Sequence, residues 1–199
     1  YTGGDTGYFS NYYCSVIGGN DDGTHEVCYG IVINSGILFA GSTVYENCSA
    51  IGGGGNGLGE VEINGGVVTA VAATTGTAIG GGIGYSSMGG YGIVRINGGN
   101  VYAYNLDNMR GIPSSAIGGA GSSSSTGTKG EVTIKGGNVY AFSALGTAIG
   151  GGSSRTKQGG DAEIHITGGM VIAKSGTGAG IGGGSAYTAG GSTDTKYNG

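Results

Sequence analysis

The phrase Ala148-Ile149-Gly150-Gly151-Gly152 keeps returning along the chain, and its return constrains the fold more than any other feature. Identical copies begin at Ala50 and Ala78, a copy with one change runs from Ala116 to Ala120, and looser copies surround Ile17 and Ile181. The central isoleucines stand at positions 17, 51, 79, 117, 149 and 181, separated by 34, 28, 38, 32 and 32 residues. Recurrence at roughly 20 to 50 residues, with changes of length tolerated, is the signature of stacked repeats. A phosphate-binding glycine loop would need a following helix and a lysine at fixed spacing. The phrase has neither.

Between these copies lies a second phrase, Ile-x-Gly-Gly-x-Val-x-Ala, beginning at Ile63, Ile96, Ile134 and Ile166, with a worn version from Ile33 to Ala40. Each copy is led by a short run such as Val61-Glu62-Ile63 or Val132-Thr133-Ile134. Alternation with period two marks a strand with one buried face, and paired glycines permit the corner between two such strands. One repeat therefore contains three short strands, and the expected fold is all-β: a right-handed, single-stranded parallel β-helix of about five to six coils. Isoleucine, valine and alanine form the inward ladders, and the alanine beside each phrase isoleucine suits a narrow interior. Length variation falls in Ser/Gly/Thr-rich stretches at 20–27, 83–91, 122–129, 153–160 and 105–115, which are expected to loop on the outside of the coil. Turn chemistry accounts for Ser122-Ser123-Ser124-Ser125.

Composition removes several other classes. Glycine supplies 52 of 199 residues, against a usual share of about 7%, yet no Gly-X-Y triplet runs through the chain, so it is not collagen. Disordered chains are highly charged, whereas here 10% of residues are charged and β-branched residues recur regularly. The net charge of -4 is spread along the chain without a basic cluster, which argues against a nucleic-acid partner. No apolar run approaches the roughly 20 residues needed for a membrane-spanning helix. Residues 1–199 are read as one β-helix repeat domain, and the ends, which fall inside repeats, suggest a piece of a longer surface protein.

Candidate sites are few. Cys14 and Cys48 each precede a phrase isoleucine by three residues, so they are expected to stack in adjacent coils about 4.8 Å apart, within disulfide reach. Cys28 is an alternative partner for Cys14, and three reduced thiols are the competing outcome. In the third strand Tyr102, Tyr104, Tyr140 and Phe142 should face outward as a two-by-two patch flanked by Phe39, Val71 and Ile172. Such a platform can stack on sugars or anchor a protein; the alternatives are that the rings simply stabilise the sheet as cross-strand pairs, or that a loop such as Asn105 to Ser115 covers them. Asn20, Asp21 and Asp22 offer oxygen ligands for one weak Ca2+ site, although later coils lack the repeated aspartate of a calcium roll. No other cofactor is implied.

Catalysis finds little support. Glu131 and Glu163 share a register with Glu60 and should stack on neighbouring coils, but nothing places a cleft over them and a solvated acidic ladder is the plainer reading. His165 falls at an outward strand position, and no serine sits in a nucleophile elbow or beside His25. A regular Thr-x-Thr ice-binding ladder is absent.

The two phrases together resemble the glycine-rich repeats of large secreted and cell-surface proteins of gut and other Gram-positive bacteria, from Val16 to Gly184. The resemblance implies a parallel β-helix within a modular, extracellular protein and carries over no catalytic residue. The N-terminal coil departs from it most, at Ser35 and Leu38. The expected function is non-catalytic adhesion or glycan binding, with a host or dietary glycan or a host surface protein as partner. The alternatives are a carbohydrate-active β-helix (polysaccharide lyase or glycan hydrolase) and a passive stalk. Unpaired strand edges at the coil ends make end-to-end self-association a further expectation.

Overall fold

The structure, a computed structural model, describes residues 15–19, 28–42, 49–73, 75–83, 89–106 and 112–186. Among them the chain forms strands and no helix. In order these are β1 (Ile17–Gly18), β2 (Cys28–Ile33), β3 (Ile37–Ser42), β4 (Ile51–Gly52), β5 (Gly59–Ile63), β6 (Val67–Ala72), β7 (Ile79–Gly80), β8 (Gly92–Ile96), β9 (Asn100–Asn105), β10 (Ile117–Gly118), β11 (Gly130–Ile134), β12 (Asn138–Ser143), β13 (Ile149–Gly150), β14 (Ala162–Ile166), β15 (Met170–Ser175) and β16 (Ile181–Gly182). Every third strand pairs in parallel, giving three sheets of orders β1-β4-β7-β10-β13-β16, β2-β5-β8-β11-β14 and β3-β6-β9-β12-β15. This is the expected three-sheet parallel β-solenoid, with five strand triplets and a sixth begun by β16.

The register follows the sequence phrases. The six phrase isoleucines align rung on rung through Ile17, Ile51, Ile79, Ile117, Ile149 and Ile181. Backbone N–H groups reach directly to the adjacent coil, as from Ile79 to the Ala116 carbonyl at 2.9 Å and from Ile117 to that of Ala148 at 2.9 Å. The four interior isoleucines and the alanines before them are fully buried. So are Val61, Val94 and Val132 of the second sheet, and Val68 and Val101 of the third. At the C-terminal end of the stack the same ladders open: Ile166 and Ile181 are 42% and 46% exposed, where Ile134 and Ile149 are fully covered. A coil is thus closed by its neighbours, since three short strands cannot bury their own inward side chains.

Glycine sets how closely coils approach. At Gly80 φ is 136°, a backbone conformation that L side chains rarely adopt, and the equivalent glycines of the other coils share it. A Cβ at Gly80 would also fall on the carbonyl oxygen of Gly118 in the next coil. Position and conformation both demand glycine there. The corner between the second and third sheets works in the opposite direction. A Cβ on Gly65 or Gly98 would meet the carbonyl oxygen of Asn34 or Asn64 in the preceding coil, at 2.9 and 3.0 Å. Ser35 occupies this position in the first triplet, where the described residues place no coil before it. The departure of Ser35 from the repeat thus has a steric explanation. Leu38, for its part, keeps the inward register, opposite Val68.

The first strand is shorter than the sequence suggests. It covers Ile-Gly, and the preceding alanine lies in a bend with its N–H still reaching the next coil, as from Ala50 to the Thr77 carbonyl at 3.0 Å. The serine-rich stretches also differ from the expectation of outside loops. Ser114, Ser115, Ser122, Ser153 and Ser154 have no exposed surface, and Ser122, Ser154 and Ala186 bridge in parallel from coil to coil. The segments stack because their hydroxyls replace water as partners: Ser114 Oγ donates to the Thr75 carbonyl at 2.7 Å, and Ser122 Oγ accepts from the Ser125 N–H at 2.9 Å. The latter is the expected turn chemistry, now in a partly buried setting.

Candidate ligand-binding face

The outward side of the third sheet is the most distinctive surface. The pleat sends Val101, Ala103, Val139 and Ala141 inward, so Tyr102, Tyr104, Tyr140 and Phe142 stand outward. Tyr102 pairs in register with Tyr140, and Tyr104 with Phe142, giving the two-by-two arrangement expected from the sequence. The Tyr104 and Tyr140 rings lie diagonally, centroids 5.6 Å apart and tilted by 45°. Tyr102 is 38% exposed, while the other three are half-buried against one another and their strand neighbours. Burial, then the neighbouring Tyr140 and Tyr102, pushes the Tyr104 hydroxyl above its usual range, so at neutral pH it stays protonated and able to donate.

The patch extends in both directions. One column reads Phe39, Thr69, Tyr102, Tyr140, Ile172 and the other Gly41, Val71, Tyr104, Phe142, Lys174. Phe39 is 71% exposed and leans over Gly41. Across all five strands Lys174 is the one charged side chain at an outward position. Five strands about 4.8 Å apart and six residues rising about 3.3 Å each define a face of roughly 19 by 17 Å.

The second sheet presents the opposite chemistry. Arg95 Nη1 meets Glu60 Oε1 at 2.5 Å, and Lys129 Nζ lies 2.5 Å from Glu163 Oε2 and 3.9 Å from Glu131 Oε2. Glu131 and Glu163 do stack in register, as expected. The hydrogen bond from Lys129, with a second from His165, holds the Glu163 carboxyl below its usual range, and the same bridge raises Lys129. A general acid needs a raised pKa. Glu163, bridged by lysine on an open face, has the reverse. His165 points outward, with Nε2 3.5 Å from Glu163 Oε1.

Cys14, Cys48, His25 and the oxygen-rich Asn20, Asp21 and Asp22 lie outside the described residues. Cys28 opens β2 opposite Gly59. Among the described residues no group of three or more His, Cys, Asp or Glu is placed to hold a metal ion.

Sequence reasoning missed two features. Lys129 bridges the carboxylates from outside its strand, and its place two residues before Glu131, on the same side of the pleat, was the available signal. Ser15, Ser49, Thr77 and Ser115, each two residues before a phrase isoleucine, donate their hydroxyls to the carbonyl four residues on, at 2.6 to 2.8 Å. Thr147 departs from this, donating instead to Gly183 of the next coil at 3.1 Å.

Compared with protein-family models, curated proteins and solved structures, the chain gives no significant match. What the fold and face define together is a class: a glycine-cornered parallel β-solenoid with one ion-paired sheet and one aromatic, nearly uncharged sheet.

Proposed function

We propose that this segment is a non-catalytic glycan-binding or adhesion module of a secreted or cell-surface protein. The observation that carries the reading is the register of Tyr102, Tyr104, Tyr140 and Phe142 on a sheet face whose one charge is Lys174. Rings held side by side by the strand spacing are preorganised to contact the apolar faces of successive sugars, so little side-chain freedom is lost on binding. The size of the face favours a glycan over a protein. Its extent of roughly 19 by 17 Å covers about two fifths of the roughly 800 Å² per partner that a standard protein interface buries. The stacked carboxylates favour binding over hydrolysis, because Lys129 bridges them on an open face and holds Glu163 below its usual range.

A glycan array probed with the whole chain tests this reading. Binding is expected for the native sequence and is lost in Tyr102→Ala combined with Tyr140→Ala, with the β-sheet circular dichroism unchanged. A native chain that binds no glycan would leave the passive stalk. Release of reducing ends from a polysaccharide would establish the enzyme instead.

A further inference from the structure

We infer that the aromatic face prefers sugars bearing a carboxylate or sulfate group, with Lys174 and Lys135 supplying the selecting charges; this rests on the proposed glycan-binding role. Lys174 stands one coil beyond Phe142, in register with it. Lys135 sits in the corner that leads into β12, the strand of Tyr140 and Phe142. Both are exposed, and neither forms an ion pair among the described residues. The second sheet is different, since Arg95 and Lys129 there are neutralised by Glu60, Glu131 and Glu163.

No Asp or Glu occupies an outward position of β3, β6, β9, β12 or β15, so no carboxylate of that face competes for the Lys174 ammonium group, while Lys135 stands at the corner, next along from Glu131 and Thr133 on the outward row of β11. A sugar stacked on a ring directs its substituents to the edge of the platform. Unpaired cations at two different edges, Lys174 beside Phe142 and Lys135 at the corner before β12, would each meet an anionic substituent with charge-assisted hydrogen bonds.

Calorimetry of the whole chain with three probes of equal length tests the inference: an oligogalacturonate (carboxylate), a carrageenan oligosaccharide (sulfate) and a neutral galactan. At least one acidic probe is expected to bind about tenfold more tightly than the neutral one, and the advantage should collapse at about 0.5 M salt. Lys135→Gln with Lys174→Gln should level the probes by weakening the acidic ones. The better of the two acidic arms identifies the anionic group. Equal affinities in the native chain, or a preference that survives the double substitution, would overturn the selectivity alone. Failure of all three probes to bind would overturn the glycan-binding role as well.

Discussion

At the scale of single residues, glycine here does two separable jobs, and substitutions tell them apart. Gly80 combines φ of 136° with the carbonyl of the next coil in the space of a side chain. Gly30 also has positive φ, 77°, but nothing lies within 4 Å of where its Cβ would be. Gly30→Ala is therefore expected to cost about 1 to 2 kcal/mol, the strain of a left-handed alanine. Gly80→Ala adds the displacement of a neighbouring coil and should cost about 3 kcal/mol or more. Urea unfolding of both variants measures the difference, and equal losses would show that steric contact between coils adds nothing. The need for glycine was legible in the sequence because the phrase repeats. The hydroxyl ladder beside it was not, because Ser and Thr are so common in this chain that a repeated hydroxyl does not stand out.

Among the elements, the longer strands declare themselves by alternation, as in Val61-Glu62-Ile63, and the structure keeps that pattern. Strand β7 is two residues long, too short for any periodicity, and only its recurrence marks it. What stayed illegible is burial rather than register: Ser122 and Ser154 lie 32 residues apart, as Ile117 and Ile149 do, but a serine-rich run does not announce that it packs coil on coil instead of looping into water. The bridge from Lys129 to Glu163 has a definite pH signature. Glu163 titrates below its ordinary range, so its contribution is present above the unfolded carboxylate value and is lost as pH falls through the lower folded one. Lys129 is raised, so its share is complete below the unfolded lysine value and is lost as pH rises through the folded one. The bridge is thus fully formed between about pH 5 and pH 10. Exposed ion pairs add little stability, so the titration is the sharper readout. In Lys129→Met the carboxyl resonance of Glu163 should titrate at higher pH than in the native chain. An unmoved midpoint would show that the lysine does not hold it.

The whole molecule behaves as a stack, with each coil in contact chiefly with its two neighbours, so a coil should be removable. Deleting residues 117–148 joins Ala116 to Ile149 and recreates the phrase at the junction. The shortened chain is expected to keep its β-sheet circular dichroism and unfold at a lower temperature, having lost one layer of core. It also loses Tyr140 and Phe142, and with them, on the function proposed above, glycan binding. An unfolded product would mean that the coils are not interchangeable. The same stacking has a mechanical consequence. The hydrogen bonds between coils run along the solenoid axis, so tension applied along that axis pulls each ladder open in line with its bonds rather than shearing strands past one another. Coils should peel from an end, one after another, at modest force. Each step at a 32-residue coil should release about 110 Å of chain. In single-molecule stretching that pattern is a regular sawtooth. A chain built this way would lengthen under tension and spare whatever is joined to it.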